Sequence, residues 1–267
     1  MTTIDPERTY TVPTGDAEPI EIRFPAHEDG LDQDEEWCEV IEGDNVRRIR
    51  FHDYHEVYEV PGLYEALFYR TLKCCSPARV VGLLDEVLSE ENVEAEELRA
   101  LDIGAGNGMV AEQLWSLGVS SIVGIDIIPE AQSAAYRDRP YVYEDYHTVD
   151  LTELPEDVEK ACRKRKLNCL VSVAALGYGD LPAKAFLQAL DLLESEAWLA
   201  FNIKEDFLYE ADYTGFGELI DNLRRDKVIR LETYKRYRHR YNIAGKELFY
   251  VAVIARKLRD LPDGYLD

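Results

Sequence analysis

An α/β protein built on a mostly parallel sheet covered by helices is the fold class predicted from the order of apolar segments in this chain. Three observations carry that expectation. From residue 98 onward, short apolar runs alternate with amphipathic segments. The first of these runs leads into a glycine-rich turn, LDIGAGNG. The last two long runs flank a turn at 242–245 as the arms of a hairpin would.

Taken in order, residues 1 to about 50 mix Pro, Gly, Asp and Glu with alternating pieces at 20–24 and 46–51, and read as a loosely built extension with a few strands. From 54 to 88 the pattern becomes helical, interrupted at Pro61 and Gly62, with Ser76 and Pro77 opening ARVVGLLDEVL in the manner of an N-cap followed by proline. Residues 1–97 are therefore expected to form an N-terminal extension and helical cap, and residues 98–267 the main domain. Within that domain, strands are predicted at 100–103, 121–125, 148–151 (the weakest), 169–173 and 198–203, with helices at 109–117, 129–136, 155–165 and 183–194 between them. Runs at 229–241 and 247–257 complete seven strands.

The totals exclude several classes of function. A net charge of −23 disfavours any protein that must approach phosphate backbones, because that affinity comes from Lys and Arg neutralising phosphates, so no nucleic-acid partner is expected. Only 10 of the 30 basic residues are lysines, and a high-salt cytoplasm is one setting in which so acidic a surface stays soluble. No apolar run approaches the roughly 18 residues of a membrane span, and the first residues carry no basic start or apolar core of a leader; no membrane partner is expected, and a cytoplasmic location follows. Cys38, Cys74, Cys75, Cys162 and Cys169 form an odd set without CxxC spacing, which argues against a disulfide framework and against a zinc site, and no metal is expected.

In LDIGAGNG a strand end delivers Gly104, Gly106 and Gly108 into the turn before the next helix. Residues without side chains permit positive φ and let a ligand lie against the main chain. An ordinary dinucleotide fingerprint, G-x-G-x-x-G, requires glycine where this chain has Met109, which shifts the weight away from NAD. Asp126 ends the next apolar run, VGID, 22 residues after Gly104, where a carboxylate can accept hydrogen bonds from both hydroxyls of a ribose. A third carboxylate, Asp150 in VDL, is placed to accept from an exocyclic adenine amine while Leu151 touches the ring; a helix cap or a solvated turn is the competing reading.

On these residues the chain resembles the class I S-adenosylmethionine-dependent methyltransferases, whose hallmark is an acidic residue followed by G-x-G-x-G. The likeness spans roughly residues 75–257: LDIGAGNG resembles the first motif, VGID the second and VDL the third. It implies a Rossmann-like seven-stranded sheet with a C-terminal antiparallel hairpin, and S-adenosylmethionine as cofactor. By the same resemblance Asp102, Gly104, Ala105, Gly106 and Gly108 would hold the methionine part, Asp126 and Ile127 the ribose side, and Asp150 and Leu151 the adenine. Two departures stand out. The usual glycine-rich turn before strand five is replaced by Glu194, Ser195, Glu196 and Ala197. SVAALGYGDLP after strand four lacks the Asn/Asp-Pro-Pro-aromatic tetrapeptide used on planar nitrogens of DNA bases and some protein glutamines, so those acceptors are disfavoured.

Methyl transfer from a sulfonium is an in-line displacement that asks an enzyme chiefly for alignment and exclusion of water, so no strong catalytic signature is required. Aromatic faces steady a cation. The segment before the first motif offers Tyr54, Tyr58, Tyr64, Phe68 and Tyr69, of which Tyr64 and Tyr69 are assigned to the cofactor, with plain core packing as the alternative for each. A proton acceptor for the substrate is sought among His52, His55, His147, Asp180 and Glu205. Asp180 and Tyr178, just beyond strand four, are the expected catalytic pair, with helix initiation as the competing role of Asp180. The reading is thus of a methyltransferase acting on a small-molecule acceptor, with a homodimer left open. Its rivals are a non-catalytic sensor or scaffold that binds the cofactor or its demethylated product, and an NAD-linked oxidoreductase.

Overall fold

The strands of the N-terminal part form because apolar and polar residues alternate there with period two. In the computed structural model, which describes residues 9–14, 17–25, 31–176, 180–208 and 215–266, they are β1 (Thr9–Thr14), β2 (Ala17–Arg23), β3 (Trp37–Glu42) and β4 (Asn45–Arg50), in an antiparallel sheet of order β1-β2-β3-β4. Ile20, Ile22, Cys38, Val40 and Ile49 face inward, while Glu21, Arg23, Glu39 and Arg48 take the other face. Helix α1 (Tyr54–Glu59), a π-helical segment, Glu65–Thr71, and the turn between them add Val57, Leu67 and Leu63 to the same core. These elements, with Arg238–Phe249, form one compact unit; Ser76–Tyr237 and Tyr250–Asp267 form a second, larger one.

The larger unit carries the sheet predicted from the alternating runs. In chain order it holds α2 (Ser76–Glu90), β5 (Arg99–Ile103), α3 (Met109–Leu117), β6 (Ser121–Asp126), α4 (Pro129–Asp138), β7 (Asp145–Thr148), α5 (Glu156–Lys164) and β8 (Cys169–Ser172). Then follow α6 (Ala183–Asp191), β9 (Trp198–Lys204), α7 (Phe216–Arg225) and the greater parts of β10 (Ile229–Tyr241) and β11 (Glu247–Lys257), whose residues within Arg238–Phe249 belong to the smaller unit. The strand order is β10-β11-β9-β8-β5-β6-β7; β5 to β9 run parallel, and β11 pairs antiparallel with β9. Because helices cover both faces, the central strands are buried on both sides and mainly apolar rather than alternating, with Asp102, Ser172 and Asn202 as buried polar exceptions. Leu101, Ile103 and Leu170 pack with Phe186, Phe201 and Leu223 in one layer, and Ala100, Val171 and Ala200 pack with Val80, Leu84 and Leu114 in the other.

One local expectation is corrected. The third strand lies at Asp145–Thr148 rather than 148–151, because Asp150 ends it by accepting the Thr152 amide at 2.8 Å and capping a 3-10 turn, Leu151–Glu153. Ser76 opens α2 as expected, and its hydroxyl lies 2.6 Å from the Tyr237 hydroxyl on β10.

Candidate functional site

The strand order reverses at β5, whose neighbours β6 and β8 lead to opposite edges of the sheet; ligands of open α/β sheets lie beyond the strand carboxyl ends at such a reversal. The glycine turn is at that place. Gly104, Gly106 and Gly108 have φ of +64°, +53° and +86°, values that residues with a Cβ rarely adopt. At Gly104 a Cβ would also come within 2.6 Å of the Ala175 Cβ in the loop after β8, so the two loops touch because residue 104 has no side chain.

Asp126, the last residue of β6, is tied to this turn. Its Oδ2 accepts the Gly106 N–H at 2.8 Å and its Oδ1 the Ile128 N–H at 3.0 Å. Burial pushes its carboxyl above the ordinary range, opposed by the amides of Gly106, Ile128 and Ile127 and reinforced by the charge of Asp180. The neighbouring Ile127 is 57% exposed, an apolar side chain left uncovered beside a polar turn.

Asp102 lies inside β5 and is fully buried. Its Oδ2 accepts the Tyr143 hydroxyl at 2.8 Å; among the described residues its Oδ1 has no hydrogen-bond partner. Burial, far more than the nearby Asp126, pushes its carboxyl up to about 8, with the Tyr143 hydroxyl working against that rise.

The remaining expected residues are distributed as follows. Asp150 is exposed and held below the ordinary carboxylate range by the hydroxyl and amide of Thr152, whereas the Leu151 side chain is buried in the core. Asp180 is exposed, one residue before Leu181, which bridges Leu176; Tyr178 lies outside the described residues. His147 pairs with Asp145 at 3.4 Å, and Glu205 accepts from Arg236 at 2.7 Å. Tyr64 and Tyr69 belong to the smaller unit, their ring centroids 6.0 Å apart, with Tyr58 and Phe68 at 5.0 and 4.9 Å from Tyr64. His52, its ring 5.5 Å from Tyr54, and exposed His55 are in that unit too.

The sequence reading missed several residues around the turn. The Tyr146 hydroxyl donates to the Gly106 carbonyl at 2.9 Å, and Arg139 donates to the Asn107 carbonyl at 3.2 Å while pairing with Glu112. The signal in the sequence was a glycine inside β6, Gly124, opposite two aromatic residues at i and i+3, Tyr143 and Tyr146. Apart from these missed residues, Asn202, fully buried in β9, accepts the Ala174 amide at 2.7 Å and donates to the Tyr237 hydroxyl at 2.6 Å.

Residues 101–201 match a family described as a methyltransferase domain. No curated protein matches the chain by sequence. Among solved structures, the N-methyltransferase NodS from Bradyrhizobium japonicum, in complex with S-adenosyl-L-homocysteine, aligns with a TM-score of 0.53 at 14% identity, over 78% of this chain and 98% of that one. A protein from Pyrococcus horikoshii assigned as an RNA methyltransferase aligns with a TM-score of 0.50 at 10% identity, over 70% and 87%. At these identities the likeness is one of fold.

Proposed function

We propose that the chain is a class I S-adenosylmethionine-dependent methyltransferase that transfers the methyl group of that cofactor to a small-molecule acceptor, a reading supported by the match of residues 101–201 to a methyltransferase domain. The single observation that carries the reading is the bare glycine turn at the strand-order reversal, joined to Asp126 through the Gly106 amide. The local chemistry suits an adenosyl ligand. The main chain at 104–108 is stripped of side chains but for Ala105 and Asn107, the buried Asp102 Oδ1 lacks a partner among the described residues, and uncovered Ile127 adjoins a carboxylate. When bound, S-adenosylmethionine supplies an electrophilic methyl carbon on a cationic sulfur.

The chain's own residues would act by binding and alignment. Asp102, Gly104, Ala105, Gly106 and Gly108 would hold the amino-acid end. Asp126 would accept from the ribose with lone pairs left over from its amide bonds, Ile127 would lie on the ribose side, and Asp150 would flank the adenine. Asp180, exposed yet close enough for its charge to act on Asp126, is our choice for the group that takes a proton from the acceptor, with Tyr178 beside it in sequence. The net charge of −23 supports a small acceptor over a polyanionic one.

The test is transfer of labelled methyl from S-adenosylmethionine into a cell extract separated by size. Label in the low-mass fraction, reduced by Asp180→Asn while cofactor affinity is kept, is the expected result. Label confined to RNA or protein would overturn the small-molecule assignment.

A further inference from the structure

The glycine turn is closed by its own Gly108 N–H to Ala105 carbonyl bond at 3.1 Å, and two tyrosine hydroxyls from the β7 side of the fold add support at the Ala105 and Gly106 carbonyls. Tyr146, on β7 and 3% exposed, donates to the Gly106 carbonyl at 2.9 Å. Tyr143, just before β7, has its hydroxyl 2.8 Å from Asp102 Oδ2 and 3.2 Å from the Ala105 carbonyl oxygen. One hydroxyl proton serves one acceptor at a time, so Tyr143 is shared between the buried acid and the turn. The peptide whose carbonyl it approaches, 105–106, is the same one whose N–H is given to Asp126. The two rings meet edge to face with centroids 5.1 Å apart. The room for them comes from Gly124 in the middle of β6: a Cβ there would lie 2.8 Å from the Tyr146 ring and 2.9 Å from the Tyr143 ring.

We infer that Tyr143 and Tyr146 are positioning residues for the cofactor site: their hydroxyls fix the glycine turn from beneath and, through Tyr143, tie its geometry to the charge state of Asp102. This inference rests on the cofactor reading above. A turn pre-set by hydrogen bonds loses less freedom when a ligand binds, so deleting a hydroxyl lowers affinity without removing any atom that touches the ligand. The titratable groups facing Asp102 are Tyr143 ahead of β7, Tyr146 on β7, Asp126 on β6 and Cys169 on β8. Tyr143 is the one that donates to it, and therefore the one that favours its ionised form.

The experiment is calorimetric titration of S-adenosylhomocysteine from pH 6 to 9.5, on the full chain and on Tyr143→Phe, Tyr146→Phe and Gly124→Ala, with the ligand-free melting temperature of each as a control of folding. The ligand's own amine titrates identically against every variant, so differences between profiles belong to the protein. Wild-type affinity is expected to rise with pH through the titration of Asp102. Tyr146→Phe should lower affinity about tenfold at every pH, a loss of about 1.4 kcal/mol. Tyr143→Phe should move the rise to higher pH, and Gly124→Ala should reproduce both losses by displacing the rings. Affinities within about twofold of wild type at every pH for both Phe variants would overturn the inference. No binding to wild-type protein at any pH would instead defeat the cofactor reading on which it stands.

Discussion

The guanidinium of Arg240 and the carboxylate of Glu36 meet at 2.6 Å with both side chains almost wholly buried, 204 residues apart in sequence. Glu36 spends its other oxygen on the Ile243 amide at 2.6 Å, and the Arg240 guanidinium lies near the rings of Phe51 and Phe68. The turn between β10 and β11 is thereby fastened into the smaller unit's core, where Ile243 is also buried.

A buried pair is expensive to break from one side, because the partner is left charged in an apolar setting. Glu36→Ala should destabilise the protein by about 3–5 kcal/mol in denaturant titration. Glu36→Ala combined with Arg240→Leu should cost clearly less than the sum of the two single changes, since the double variant leaves no orphaned charge. Additive costs would show that the pair is not the fastening.

Asp102 gives a pH signature of stability. Its carboxyl is pushed from 3.8 up to about 8 by burial, so between those values the folded protein holds a proton that the unfolded chain releases. Its contribution is complete below about pH 4 and is lost as pH rises through about 8. Asp102→Asn, which cannot ionise, should flatten the decline of unfolding free energy between pH 5 and 8 relative to wild type. Parallel curves for the two proteins would show that Asp102 does not titrate in that window.

At Gly104 the backbone angle and the neighbour act together. Gly104→Ala forces a Cβ into a left-handed conformation, costing about 1–2 kcal/mol, and into the Ala175 methyl 2.6 Å away. The variant should show a lowered denaturation midpoint and S-adenosylhomocysteine affinity reduced about tenfold or more. Wild-type values for both would mean that the turn adjusts freely.

Much of this was legible in the sequence, and the exceptions have physical causes. The hairpin arms Ile229–Tyr241 and Glu247–Lys257 were read residue for residue, and α3 began where the glycine turn ended, because long apolar runs and glycine punctuation are local signals. The strand β7 was displaced because VDL is apolar enough to read as a strand, while the tyrosine and histidine of DYHT owe their places to neighbours across the sheet. Tyr146 pairs in register with Gly124, and no periodicity within either segment announces that a missing side chain in one makes room for a ring in the other. The Glu36–Arg240 contact is equally silent in sequence, since each residue looks like one more surface charge.

Asn202 links the loop after β8 to the rest of its sheet, accepting the amide of Ala174, whose φ is +60°, and donating its side-chain N–H to the Tyr237 hydroxyl. Asn202→Leu should cost about 1–3 kcal/mol, the penalty of an unsatisfied buried amide. Hydrogen exchange at Ala174 should accelerate in that variant while exchange in β6 stays as it was. Unchanged protection at Ala174 would place the loop's support elsewhere.

The central claim, that the glycine turn and Asp126 form an adenosyl site, is tested most directly by calorimetric titration of S-adenosylhomocysteine into wild-type protein and into Asp126→Ala. Saturable one-site binding to the first and none detectable to the second is the predicted result. Equal affinity in both, or no heat of binding in either, would contradict it.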